Sequence, residues 1–165
     1  MDKAQIVSAA LSKAAYAVCY DYPEYSWILS GGFTGGYNFA LQTKELQPNQ
    51  KKGTVCITKA FYNTKDPGFG DTTKMDIEIN RIVSLSEKET TRYNQLQVFH
   101  DEICKLTTYN TDAFNQASQL PPNAPVPADL LYAWSPYGTF TGQSVVCEGY
   151  ARAFKMLCDN AGIPC

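Results

Sequence analysis

The sequence contains a single histidine, no Cys-x-x-Cys pair, and charged residues at only 18% of its length. Zinc fingers and zincins draw on several histidines or closely paired cysteines, so this composition argues against both, and no metal or cofactor is expected. Lysine and arginine number 14 against 16 acidic residues, a net charge of −2, with no basic run. Binding to a phosphate backbone needs clustered cations, so a nucleic-acid partner is not expected either. No apolar run approaches the roughly 18 residues that span a bilayer. Met1-Asp2-Lys3 is a poor start for a signal peptide, and Lys13 breaks the apolar stretch behind it. The default compartment for the chain as read is therefore the cytoplasm.

What is present suits a folded protein. A chain of 165 residues, 44% apolar and 13% aromatic, can bury a sizeable core. Its six cysteines fall at 19, 56, 104, 147, 158 and 165. The even count invites a disulfide framework, but the spacings are wide and irregular. Most of these thiols are expected to be small buried hydrophobes.

Ile6, Ala10, Leu11, Ala14 and Val18 recur at spacings of three and four, which predicts a helix over 3–19. Asp21-Tyr22-Pro23 ends it, because the residue before proline avoids the helical region. Gly31, Gly32, Gly35 and Gly36 punctuate an aromatic stretch. They lack the Lys-Ser/Thr of a phosphate loop and read as a turn between strands. Residues 54–62 are β-branched and aromatic, and residues 75–80 alternate apolar with polar. Joined by the turn-rich 66–71 segment, they predict an antiparallel hairpin over 54–83. Asp66 and Asp71 do not have the spacing of an EF-hand loop. Ser86, with Glu89 three residues on, reads as the capping box of a second helix over 87–106. Residues 107–145, rich in Pro, Asn and Gly, read as a long loop of the kind that usually carries function. The chain divides at 1–85 and 86–165, either as two units or as one continuous domain.

The final segment is the most informative. At 100° per residue, Cys147, Tyr150, Ala151, Phe154, Leu157, Cys158 and Ala161 fall on one side of a helix over 147–161. Glu148, Arg152, Lys155 and Asp159 fall on the other, forming two i,i+4 pairs. Gly162 and Pro164 supply the stop. Cys147 lies in the first turn, where unpaired N–H groups and the macrodipole stabilise an anion. A thiolate there is a nucleophile, and the same N–H groups can receive a developing oxyanion.

The run Val146-Cys147-Glu148-Gly149-Tyr150-Ala151-Arg152-Ala153-Phe154-Lys155-Met156-Leu157, followed by Gly162-Ile163, closely resembles the nucleophile segment of the transglutaminase-like superfamily. Phe99-His100-Asp101-Glu102-Ile103 with Thr108-Tyr109-Asn110, and Asp21-Tyr22-Pro23-Glu24 with Trp27, resemble upstream stretches of bacterial members. The strong resemblance covers residues 134–165. It implies an α+β, papain-like core with a Cys-His-Asp triad, in which Cys147 attacks an amide and a protein or peptide is the substrate. Hydrolysis gives a peptidase or amidase, and a lysine acceptor gives a crosslink. Gln143 is a candidate oxyanion donor beside the role of turn residue. His100 is a candidate substitute base beside a structural role. The family's histidine and aspartate follow the cysteine on later strands, so 86–165 reads as the front half of a catalytic domain, impaired as it stands. The apolar face of helix 147–161 is then expected to be covered by a second copy or by the 54–83 hairpin. Many family members are secreted or surface-anchored, which pulls against the cytoplasmic default. The competing reading is a non-catalytic module that binds protein or glycan through Trp27, Tyr37 and Trp134.

Overall fold

The protein is described here by a computed structural model covering residues 3–25, 34–42, 54–63, 69, 71–121, 124 and 126–165. Helix α1 (Lys3–Asp21) runs into a 3-10 turn (Pro23–Tyr25). Strands β1 (Thr34–Gln42) and β2 (Thr54–Asn63) follow. Then come α2 (Thr73–Ser86), α3 (Arg92–Leu106), α4 (Thr111–Ser118), a 3-10 segment (Ala128–Trp134), α5 (Pro136–Phe140) and α6 (Cys147–Asn160).

Helices build the core, and the expected α+β papain-like core with an antiparallel hairpin over 54–83 is overturned. Residues 75–80, the expected second arm of that hairpin, lie inside α2. The alternation at 75–80 is misleading, because the longer period prevails. Met75, Ile79, Ile82 and Ser86 are buried at spacings of four, three and four, while Ile77, which a strand would bury with Met75 and Ile79, is 58% exposed. The partner of β2 is instead β1, with Thr34 opposite Asn63, Gln42 opposite Thr54 and an irregularity at Asn38/Phe39. Trp27, Gly31 and Gly32, with most of the 66–71 turn, lie outside the described residues.

Two further boundaries move. Ser86 closes α2 rather than opening the next helix: its hydroxyl donates to the Val83 carbonyl at 2.8 Å and it is buried. The cap of α3 is Thr91, whose Oγ1 accepts from the Asn94 N–H at 3.2 Å. The 107–145 segment is not a loop. Asn110 caps α4 by accepting from the Ala113 N–H at 2.9 Å, and Pro136 opens α5 at a position that has no use for an N–H.

A single apolar cluster ties α2, α3, α5 and α6 together. It joins Ile79 and Ile82 to Phe99 and Ile103, to Phe140, and to Ala153, Leu157 and Cys158. Phe99 meets Phe154 edge to face at 6.2 Å and 81°. The helix ends in a reversed turn, with Gly162 at φ +64° and the Ile163 N–H donating to the Cys158 carbonyl at 2.8 Å. That Schellman geometry returns buried Ile163 to the core. The inward side of α6 is therefore covered by the chain's own helices, and no 54–83 hairpin exists to cover it. At the other end, α1 buries Ala15 and Cys19, not the stripe read from its sequence; Ile6 and Val18 are about half exposed. No described helix is long and apolar enough to cross a membrane.

Candidate functional site

Cys147 is the first residue of the 14-residue helix α6, and it is exposed. The residue before it, Val146, is extended at φ −93° and ψ 179°, and no side chain caps the helix. The first-turn N–H groups are thus left without a capping side chain beside an exposed thiol. The helix is rotated from the face read off the sequence. Cys147 and Ala151 lie on the exposed side, whereas Arg152, assigned to the polar side, is only 7% exposed.

The segment leading to Cys147 is clamped on both sides by backbone. The Val145 N–H donates to the Thr108 carbonyl and the Asn110 N–H to the Val145 carbonyl, both at 2.9 Å, making a parallel bridge. The Val146 N–H donates to the Ala133 carbonyl at 2.9 Å. Asn110 Nδ2 adds a bond to the Ser144 carbonyl at 3.2 Å, and Thr107 Oγ1 donates to the Gln143 carbonyl. Val145 and Val146 are fully buried. A residue between two buried valines and a helix has little freedom, so the exposed thiol is rigidly presented.

Two residues on, close packing explains why position 149 is glycine. A Cβ there would lie 2.7 Å from Val145 Cβ and 2.9 Å from the Ala133 carbonyl oxygen. The close approach seats α6 directly on the 145–146 segment. Arg152 supports the same end from below. Its Nη1 donates to the Trp134 carbonyl at 2.5 Å, and its Nη2 pairs with Glu148 at 3.2 Å. The pairs Glu148–Arg152 and Lys155–Asp159 both form as the i,i+4 spacing predicts.

The other two candidates are placed elsewhere. Gln143 Nε2 donates to Thr141 Oγ1 at 3.1 Å, and its own N–H to the Gly138 carbonyl at 2.9 Å, so its side chain is engaged within the turn. His100, on α3, directs Nδ1 at Asp101 Oδ1 (2.9 Å) and Nε2 at Cys104 Sγ (3.8 Å). Among the described residues, Cys147 Sγ has no hydrogen-bond partner, and none of the recorded contacts of His100 is with Cys147. Trp134 is half-buried, packed against Ala113, Ala133 and Val146. Tyr37 belongs to β1, whose side chains lie outside the description.

The five cysteines whose side chains are described divide into two groups; that of Cys56 lies outside the description. Only Cys19 and Cys158 are buried, which corrects the expectation that most are; Cys104, Cys147 and Cys165 are exposed, and all five are free thiols. Burial, followed by the neighbouring Cys165, pushes the Cys158 thiol up to about 12. Burial also raises Cys19, against the opposing positive charge of Arg152. An open groove lined by Asp21, Tyr22, Glu24, Lys155, Met156 and Asp159 lies toward the other end of α6. At 1.5 Å per residue that is about 12–18 Å along the helix from Cys147, so the groove is no part of this site.

Sequence reasoning missed Arg152 as a buried strut and Cys104 as a partner of His100. The spacing of 100 and 104 was the available signal for the second. Nothing in the sequence marked the first, because an i,i+4 partner reads as a surface pair. Comparison of the chain with protein families, with curated proteins and with solved structures returned no match.

Proposed function

We propose that the protein performs thiol-dependent acyl chemistry on protein or peptide substrates, with Cys147 as nucleophile, in the manner of transglutaminase-like cysteine peptidases and acyltransferases. The observation that carries this reading is an exposed thiol at the uncapped N-terminus of α6, on a segment held by backbone hydrogen bonds from both sides. In the proposed reaction the Cys147 sulfur bonds to the carbonyl carbon of an amide and the C–N bond breaks. The departing amine takes a proton, and a thioester forms. Water or an amine then displaces the thiolate, giving hydrolysis or transfer. The first-turn N–H groups of α6 can receive the oxyanion of the tetrahedral intermediate. The general base of the family mechanism is not assigned to His100, because its ring contacts Asp101 and Cys104.

An activated ester tests this directly, because it acylates a nucleophilic thiol without needing an amine leaving group. Incubation with p-nitrophenyl acetate, followed by intact-mass and peptide-level mass spectrometry, should place the acetyl group on Cys147. Cys147→Ala should remove that adduct and Cys104→Ser should leave it. An adduct distribution unchanged by Cys147→Ala would refute the assignment.

A further inference from the structure

The last turn of α3 carries a second constellation, unrelated to Cys147. His100 and Cys104 are one helical turn apart, and Nε2 and Sγ are 3.8 Å from each other. His100 Nδ1 lies 2.9 Å from Asp101 Oδ1. An ionised carboxylate only accepts hydrogen bonds, so Nδ1 carries the ring proton, and the lone pair of a neutral ring is on Nε2, facing the sulfur. All three side chains are solvent-accessible: those of His100 and Asp101 are 69% and 50% exposed, and Cys104 is exposed.

We propose that His100 and Cys104 form a two-ligand site for a zinc-class divalent cation. Tetrahedral zinc holds nitrogen at about 2.0–2.1 Å and sulfur at about 2.3 Å, which sets the two donors about 3.6 Å apart. The separation in this structure is 3.8 Å. The Asp101–His100 contact is the carboxylate–imidazole support that fixes the tautomer and strengthens imidazole as a ligand. Water fills the remaining positions of the exposed ion.

The same trio could be read as a nucleophile, base and orienter, and helix polarity decides against it. Cys104 sits in the last turn of α3, which ends at Leu106, where the macrodipole favours cations and opposes an uncompensated thiolate. A bound cation turns that field into an advantage. The neighbouring charges permit it. Glu102 is committed to Arg81 at 2.8 Å and Lys105 at 2.7 Å, and Lys105 is held by that contact. From the facing helix α6, Tyr150 approaches Cys104 as a neutral phenol, raised by burial and by Cys104 itself. Cation binding releases the thiol proton to solvent and requires a neutral imidazole, so affinity falls as the pH drops.

Titration of the whole chain with zinc ion against a chromophoric chelator tests the site. The expected result is one zinc per chain. His100→Ala and Cys104→Ser should each weaken binding by at least about ten-fold, and Asp101→Ala by about ten-fold. Cys147→Ser and Cys165→Ser should leave the affinity as it was. Cadmium should give a thiolate charge-transfer band that Cys104→Ser removes. The substituted side chains are exposed, and circular dichroism will confirm that each variant is folded. Zinc affinity unchanged in both His100→Ala and Cys104→Ser, or abolished by Cys147→Ser, would overturn the proposal.

Discussion

Two exposed cysteines on neighbouring helices occupy opposite poles. Cys147 opens α6, and Cys104 lies in the closing turn of α3. At the first pole the helix presents the N–H ends of its peptides, and at the second their carbonyl ends, which favour a cation. Under the two proposals, the same residue type attacks an electrophile in one place and holds a metal in the other. The supports differ as well. Cys104 and His100 are aligned by one helix alone, through i,i+4 spacing. Cys147 depends on tertiary structure: the Thr108–Asn110 bridge, the Ala133 carbonyl and the Arg152 strut.

That difference can be broken from the largest effect downward. Phe99 is fully buried on α3 and meets Phe154 of α6, so it couples the two helices. Phe99→Ala should cost about 3–5 kcal/mol and lower the denaturation midpoint for the whole helical unit. Measured by denaturant unfolding, a loss below 1 kcal/mol would show that α3 and α6 do not share a core.

Gly149→Ala separates the two poles. Its new methyl group would meet Val145 and the Ala133 carbonyl, which cannot withdraw without moving the Cys147 segment. A destabilisation of about 1–3 kcal/mol is expected, with slower acylation of Cys147 and unaltered zinc binding at His100 and Cys104. Equal effects at both poles would deny the tertiary dependence claimed for Cys147.

The smallest expected effect at neutral pH is that of the buried thiols, whose contribution changes only in the alkaline range. Cys158 is pushed up to about 12 in the folded chain, against about 8.5 for an unfolded cysteine. Across that interval the unfolded chain gives up a proton that the folded chain keeps. The stabilising contribution is therefore complete below the unfolded value and falls as the pH rises toward about 12. Denaturant melts across the alkaline range should show this decline, and Cys158→Ala should flatten it. An identical slope in the variant would place the alkaline loss elsewhere.

How much of this was legible in the sequence follows from which signals were redundant. Helix α6 was, because its apolar period, its two i,i+4 pairs and Gly162 all pointed the same way. Its rotation was not: an arginine at 152 counts as polar in any periodicity, and only the Trp134 carbonyl and Glu148 beside it make burial tolerable. The error at 75–80 arose because six residues fit a strand and a helix equally well. Ile82 and Ser86, which complete the helical stripe, lay beyond the window. The 107–145 segment was misread because Asn and Pro count as loop residues, although here Asn110 caps one helix and Pro136 starts another. Cys147 stands out as a candidate through its neighbours in sequence, whereas the clamp that holds it does not, since those bonds join backbone atoms distant along the chain.

The most direct measurement is site-resolved alkylation of the folded chain with iodoacetamide at neutral pH, followed by peptide mass spectrometry. The account predicts that Cys147 labels fastest of the exposed thiols, about two- to five-fold ahead of Cys165, while buried Cys19 and Cys158 stay protected. Labelling of Cys147 no faster than Cys165 would contradict the claim that the first turn of α6 activates it.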